Sequence, residues 1–314
     1  MPKGGTAVGI ECDSRSLRAA KLTSGKSGGK PAVLAVEEIT GRFSKDEEIA
    51  EGLTSLRRKM GISSSDAVIT CVGGKQAYTA QLSFKKMPDE EMKTALKFEI
   101  RKNLSFDTAG AAIDFQFLAE PARKNDPVPV VVTAVSQQQV QRHLLLFEKA
   151  NIVPTVLEVL PLTIANAFLS DRANLEKSEL GRTILHIGPE YSTLVVEGTG
   201  IPFYTRTIYF AAGELFGREQ PPDMSPEEFV HRITVFSEEI NRSLVYYESA
   251  FKTMTSSELT VLGPFDQPEL LEKITGDTGL KLSRLELAKQ FEVPEPVPAG
   301  KFETAIALAL RGME

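Results

Sequence analysis

Ala7-Val8-Gly9-Ile10-Glu11-Cys12-Asp13-Ser14-Arg15-Ser16-Leu17-Arg18-Ala19 reads as an apolar strand, a short polar turn and the start of a second strand that runs to Leu22. A third strand, Ala32 to Ile39, follows a connection, residues 23 to 30, that is a turn by composition. The same order returns in the second half. Arg182 to Ile187, Ser192 to Glu197 and Ile201 to Tyr209 are three strand-like runs joined by short Gly-containing turns. Each half therefore opens β-turn-β-turn-β, with Gly and hydroxyl residues around its first turn. That is an internal duplication of architecture, weak in letters but visible in order.

Working outward, Ile49, Leu53, Leu56 and Met60 have helical spacing over Asp46 to Met60, and Gly61 is a stop. Ala67 to Val72 is another strand. An inserted subdomain is expected at 78–152. It has strands at Tyr78 to Phe84, Ile113 to Leu118 and Val128 to Val135, a helix at Asp89 to Asn103 with Met92, Leu96, Phe98 and Ile100 inward, and a helix at Gln137 to Ala150. The chain then re-enters the first lobe through Thr155 to Val159 and a helix from Pro161 to about Leu169. Residues 170–181 are polar and mark the lobe boundary. Helices at Pro226 to Phe251, Pro268 to Ile274 and Phe302 to Arg311 and a strand at Glu258 to Leu262 complete the second lobe. The expected domains are 1–77 with 153–172, the insert 78–152, and 173–314.

The 314 residues suit about two domains. A net charge of −6 argues against a nucleic-acid partner. No run approaches the roughly 18 apolar residues of a membrane span, and no signal peptide is visible, so a membrane connection would come through a partner. Cys12 and Cys71 lie in strand-like runs and read as small buried hydrophobes in a reducing compartment. Gly25-Lys26-Ser27 imitates the end of a phosphate loop, but Ala20 stands where glycine is needed and Pro31 and a β-rich run follow instead of a helix. G-x-S-x-G, H-E-x-x-H and paired-Cys motifs are absent. His143 and His231 read as solvent-facing helix residues, and His186 as a strand-end residue with a local hydrogen bond.

Several stretches, in order along nearly the whole chain, resemble the PilM family of type IV pilus assembly proteins. Gly9 to Ala19 resembles that family's first phosphate hairpin, G-I-D-I-G-S-S-S-V-K-A. Met87-Pro88-Asp89-Glu90-Glu91 resembles M-P-x-x-E, and Lys97 to Phe106 resembles an aromatic-E-…-P-F segment. Asp114-Phe115-Gln116-Phe117-Leu118 resembles D-Y-Q-V-L. Glu238 to Tyr247 resembles E-I-x-R-S-L-D-F-Y, and Phe302 to Gly312 the closing F-A-x-A-x-G-L-A-L-R. The resemblance implies an α/β chain of the actin-like ATPase fold, with duplicated ribonuclease H-like lobes, an inserted α+β subdomain in the first lobe and a trimmed second lobe.

The resemblance also implies an ATP site with Mg²⁺, built from Glu11, Asp13, Ser14 and Ser16 in the first hairpin and Gly188, Ser192 and Thr193 in the second. Glu239, Arg242, Ser243 and Gly263 would lie on the adenosine side. Backbone N–H groups of such turns clasp phosphates, and glycine permits the close approach. Here the family's Gly is Asp13, its first Asp is Glu11, and its second Asp is His186. Its Gly-Gly after the third strand is Ala211-Ala212, and Pro264 replaces the second Gly of the adenosine-side pair. A whole helix usual between residues 217 and 225 is missing. These departures argue for no cofactor and no catalytic residue. Glu239, Arg242 and Ser243 share a helix face, and an ordinary intrahelical Glu–Arg pair explains them equally well.

The function implied is a cytoplasmic scaffold or binding protein of a type IV pilus or type II-secretion-like machine. It would be peripheral to the inner membrane, holding the N-terminal cytoplasmic tail of a PilN-like bitopic inner-membrane protein, with self-association left open. Phe98, Phe106 and Phe115 are aromatic candidates for the groove, though core packing is favoured for each. A slow ATPase or kinase-like phosphotransferase is the alternative.

Overall fold

The computed structural model describes residues 5–24, 31–123, 125–167, 180–210, 212–216, 224–265, 267–293, 297–298 and 300–313. The Gly25-Lys26-Ser27 turn, most of the 170–181 boundary, Ala211 and residues 217–223 lie outside them.

Two five-stranded sheets repeat one topology. The first has the order β3-β2-β1-β4-β8, from Thr6–Cys12 (β1), Ser16–Thr23 (β2), Ala32–Thr40 (β3), Ala67–Val72 (β4) and Val156–Val159 (β8). The second has the order β11-β10-β9-β12-β13, from Gly181–Ile187 (β9), Ser192–Glu197 (β10), Tyr204–Ile208 (β11), Thr255–Leu262 (β12) and Lys281–Arg284 (β13). In each, the opening three strands are antiparallel and the following two run parallel to the first strand. The repeat inferred from the sequence is a repeat of structure.

A third sheet, β5-β7-β6, forms the insert from Ala77–Lys85 (β5), Ala112–Phe117 (β6) and Pro127–Val135 (β7). Helix α2 (Asp89–Ile100) covers it through Met92, Leu96 and Ile100. Phe98, expected inward, is instead 80% exposed, because a residue two positions from Leu96 and Ile100 falls off their helix face.

Local signals set the helix ends. Asp46, Glu47 and Glu48 occupy the first turn of α1 (Asp46–Met60), Arg57, Arg58 and Lys59 its last, and Gly61 adopts the left-handed stop. In α3 (Gln137–Lys149) the Ser136 hydroxyl caps the Gln139 N–H. Helix α4 (Leu160–Asn166) follows β8, and a short α5 (Ala212–Phe216) follows β11. The longest, α6 (Pro226–Phe251), opens on Ser225 as cap with Pro226 first and stops at left-handed Lys252. Helix α7 (Pro268–Thr278) continues four residues past its expected end and stops at left-handed Gly279. The third strand of the second sheet starts late, at Tyr204. The Ile201 N–H turns back to Gly198, and the Phe203 N–H goes to the Gln81 side chain at 2.7 Å rather than to β10.

The largest correction concerns the closing helix, α8 (Glu303–Arg311), assigned above to the 173–314 lobe. It packs on β1, β2 and β4 of the first sheet. Ala305 to Ala309 are all buried, so this helix has no wet face through its middle. Its core cluster joins Ala7, Leu22 and Ile69 of the first sheet to Ile184, Val195 and Leu262 of the second. The two lobes therefore share a core on this side.

The fit depends on Gly9. A methyl group there would stand 1.9 Å from the carbonyl oxygen of Ala305 and 2.5 Å from the Ala309 nitrogen, both backbone atoms. Gly9→Ala should lower the unfolding free energy by about 3 kcal/mol, the upper range for overpacking a dense core. Urea denaturation measures this, and a loss below about 1 kcal/mol would show that α8 can yield without cost.

Candidate functional site

The opening hairpins of the two lobes face one another across a cavity of about 220 Å³ lined on one side by Glu11, Asp13 and Ser14 and on the other by His186, Gly188 and Tyr191. They are built alike. The last paired residues are Cys12 with Leu17 and Ile187 with Ser192, each closing a turn. In both turns the first N–H donates to the last carbonyl: Asp13 to Ser16 at 3.0 Å and Gly188 to Tyr191 at 3.2 Å. Asp13 thus stands where the second hairpin has Gly188. One pair further back, Glu11 lies opposite Arg18 and His186 opposite Thr193, so Glu11 and His186 are equivalent positions of the two lobes.

Asp13 turns back on its own loop. Its Oδ1 accepts the N–H groups of Arg15 and Ser16 at 2.6 and 2.8 Å. Its Oδ2 accepts the Ser16 hydroxyl at 3.2 Å and Arg18 Nη2 at 2.7 Å. The turn's own amides and a guanidinium surround this carboxylate and stabilise its charge within the turn.

Arg18 is the centre of the group and is 0% exposed. Besides Asp13, it reaches Glu11 through Nη1 at 2.7 Å, Glu38 through Nε at 3.2 Å, and the Ser16 hydroxyl. Lys301 meets the other oxygen of Glu38 at 2.5 Å. Burial disfavours the Arg18 charge, but Glu11 and Asp13 overcome that and hold it protonated. Sequence reasoning passed over Arg18. The available signal was a lone cation in the inward run Leu17-Arg18-Ala19-Ala20, which burial makes costly unless it is paired.

The remaining oxygen of Glu11 lies 3.1 Å from Nε2 of His186. The expected local hydrogen bond of His186 is thus a bond between lobes. Burial pushes the Glu11 carboxyl up, yet Arg18 and His186 together bring it down to about 2. Its depressed value contributes stability above pH 4.5 that is lost as pH falls through 2.

Ser14 and Gly188 line the cavity, whereas Ser192 and Thr193 are buried within β10 and do not. Glu239, Arg242 and Ser243 are not brought to the cavity either. Glu239 takes Arg206 of β11 at 2.5 Å and also Arg242, and the Ser243 hydroxyl donates to the Glu239 carbonyl. The ordinary ion pair accounts for them. Gly263 has a φ of +110° and packs on the Ile187 backbone, which explains glycine there without a ligand.

His143 also departs from its expected surface position. It is 7% exposed, with Nε2 3.0 Å from the Thr70 hydroxyl and its ring 4.9 Å from that of Phe147. α3 turns this residue inward against β4, where it lines the cavity.

The family model described as Type IV pilus assembly protein PilM matches residues 9–219. The chain belongs to the PilM family. A PilM–PilN type IV pilus biogenesis complex superposes with a TM-score of 0.83 at 20% identity, covering 98% of each chain. A Bacteroides thetaiotaomicron protein with an actin-like ATPase fold gives 0.53 at 10%, covering 98% of this chain and 96% of its own. The cytoplasmic domain of EpsL, an inner-membrane component of the Vibrio cholerae type II secretion system, gives 0.50 at 9%, covering 98% and 94%. At these identities the likeness speaks for the fold, which is actin-like.

That fold raises ATP with Mg²⁺ as a ligand, and the residues of this family member do not fit it. The first turn's amides already serve Asp13, whose charge would oppose a phosphate. Glu11 is taken by Arg18 and His186.

Burial, and secondarily Arg142, hold the His143 imidazole down at about 4, against an ordinary 6.5. The unfolded chain therefore binds a proton first as pH falls, and stability present above 6.5 is lost between 6.5 and 4. We expect a loss of about 3 kcal/mol from this residue across that window. Urea titrations at stepwise pH should show it, and His143→Gln should flatten it. An unchanged slope in the variant would assign the loss elsewhere.

Proposed function

We propose that this protein is a binding component of a type IV pilus assembly machine, peripheral to the inner membrane, and that it holds the cytoplasmic tail of a PilN-like membrane protein as an extended segment. The PilM family match and the likeness to a PilM–PilN complex support the partner. The observation that carries the reading is the internally satisfied first turn. With Asp13 and Arg18 occupying it, the work falls to the surfaces rather than to phosphate chemistry. No helix among the described residues is long and apolar enough to cross a membrane, in keeping with attachment through a partner.

The insert offers the docking edge. Its strand β5 faces the second lobe, where Gln81 accepts the Phe203 N–H. Its other outer strand, β6, pairs only with β7 among the described residues, so its outer backbone groups, apart from the Phe115 N–H that donates to Asp114 Oδ1 at 2.9 Å, are open to an added strand. Helix α2 packs over β6 and presents exposed Phe98. Phe106 and Phe115 are partly buried in the insert's core, as core packing requires.

A synthetic peptide of the partner's tail should bind without ATP and slow hydrogen exchange at Ala112–Phe117. Phe98→Ala should weaken it about tenfold, the loss of one apolar anchor, with unfolding free energy changed by less than about 0.5 kcal/mol. Protection confined to the second lobe would move the groove. An absence of binding at high peptide concentration would overturn the reading.

A further inference from the structure

The mismatch between the fold's usual ligand and these hairpins has its own logic. Glu11 and His186 occupy equivalent positions, the penultimate paired residues of β1 and β9. Two carboxylates facing each other there would repel and would need a cation between them. A carboxylate facing an imidazole needs nothing between, because one accepts what the other donates. The same replacement is made at the turn, where a phosphate's oxygens would take backbone amides and Asp13 takes them instead. The side chains form one connected chain: Asp13 to Arg18, Arg18 to Glu11, and Glu11 across the cleft to His186. Arg15 adds a second strut, donating from Nη2 to the Gly213 carbonyl of the opposite lobe at 3.2 Å.

We infer that the Asp13–Arg18–Glu11–His186 chain is an internal latch that holds the two lobes closed across the cleft in place of a bridging nucleotide and cation. The lobes share a core on the α8 side, so the cleft is the side on which they can part. The latch lies on that free side, and all four of its side chains come from the two hairpins. The lobes of this protein are therefore closed at all times, and nucleotide does not regulate the interlobe angle. This inference stands apart from the tail-binding reading, since it concerns the cleft and not the β6 edge.

Hydrogen exchange on the nucleotide-free protein tests it. The amides of Arg15 and Ser16 donate to Asp13, and the Gly188 amide to Tyr191. They should exchange at least tenfold slower than in an unstructured turn, and 5 mM Mg·ATP should not slow them further. Fast exchange that Mg·ATP suppresses would overturn the latch and restore a nucleotide-bridged cleft. His186→Ala should speed exchange at both turns at least tenfold while β4 and β12 stay protected, and should raise the radius of gyration in small-angle scattering. His186→Gln keeps a side-chain N–H toward Glu11 and should restore most of the protection. Should His186→Ala fail to fold, the wild-type and His186→Gln measurements decide alone. Turns in His186→Ala that exchange as in the wild type, or turns in His186→Gln that exchange as fast as an unstructured turn, would show that the bond does not hold the lobes.

Discussion

A single guanidinium, removed from water, organises the middle of this molecule. Arg18 has no solvent to balance its charge, so it must be met by Glu11, Asp13 and Glu38 together. That requirement aligns β1, β2 and β3 at one level, since the partners come from all three segments around it. It also turns Asp13 inward over its own amides and leaves one oxygen of Glu11 free to reach the other lobe. Leaving any one of these groups unpaired would strand a charge in a low-dielectric setting, which is far costlier than never having buried it. The cluster is thus a set of mutual obligations, and it keeps the first turn's amides engaged by Asp13.

The duplication explains why such a rearrangement stays small. Two hairpins with the same turn hydrogen bond meet face to face, so a change at one position in one copy confronts the equivalent position in the other. A glutamate in one and a histidine in the other make complementary what would otherwise be two like groups. Breaking the symmetry of the residues has kept the symmetry of the backbone. The insert and α8 break the backbone symmetry in turn, the one adding a separate sheet with an open edge and the other drawing both lobes onto a common core.

Much of this architecture was legible in the sequence. Apolar runs bounded by short polar or Gly-containing turns located the two hairpins, and Ser225-Pro226-Glu227-Glu228 announced the start of the longest helix. What escaped was non-local or brief. The four-residue β13 and the short α5 carry too little pattern to distinguish from loop. The seat of α8 depends on its fit to Gly9 far away, which no window of sequence contains. His143 looked like a surface residue because its helix is polar overall, and only packing of α3 against β4 makes it a buried one. At the candidate site the hairpin residues lie in the strands and turns that the sequence pattern marks. Their partners were missed, because Arg18 belongs to a strand and His186 to the other lobe.

The contact between Gly9 and α8 also bears on how the protein is made. β1 leaves the ribosome about three hundred residues ahead of the helix that covers it. Throughout that interval the inner face of the first sheet lacks its cover, and its apolar strands are open to improper association. The early lobe therefore cannot finish folding as it is synthesised. It must wait for the late helix, and a ribosome that stalls before residue 303 releases a first sheet whose seat for α8, beside α4, is uncovered.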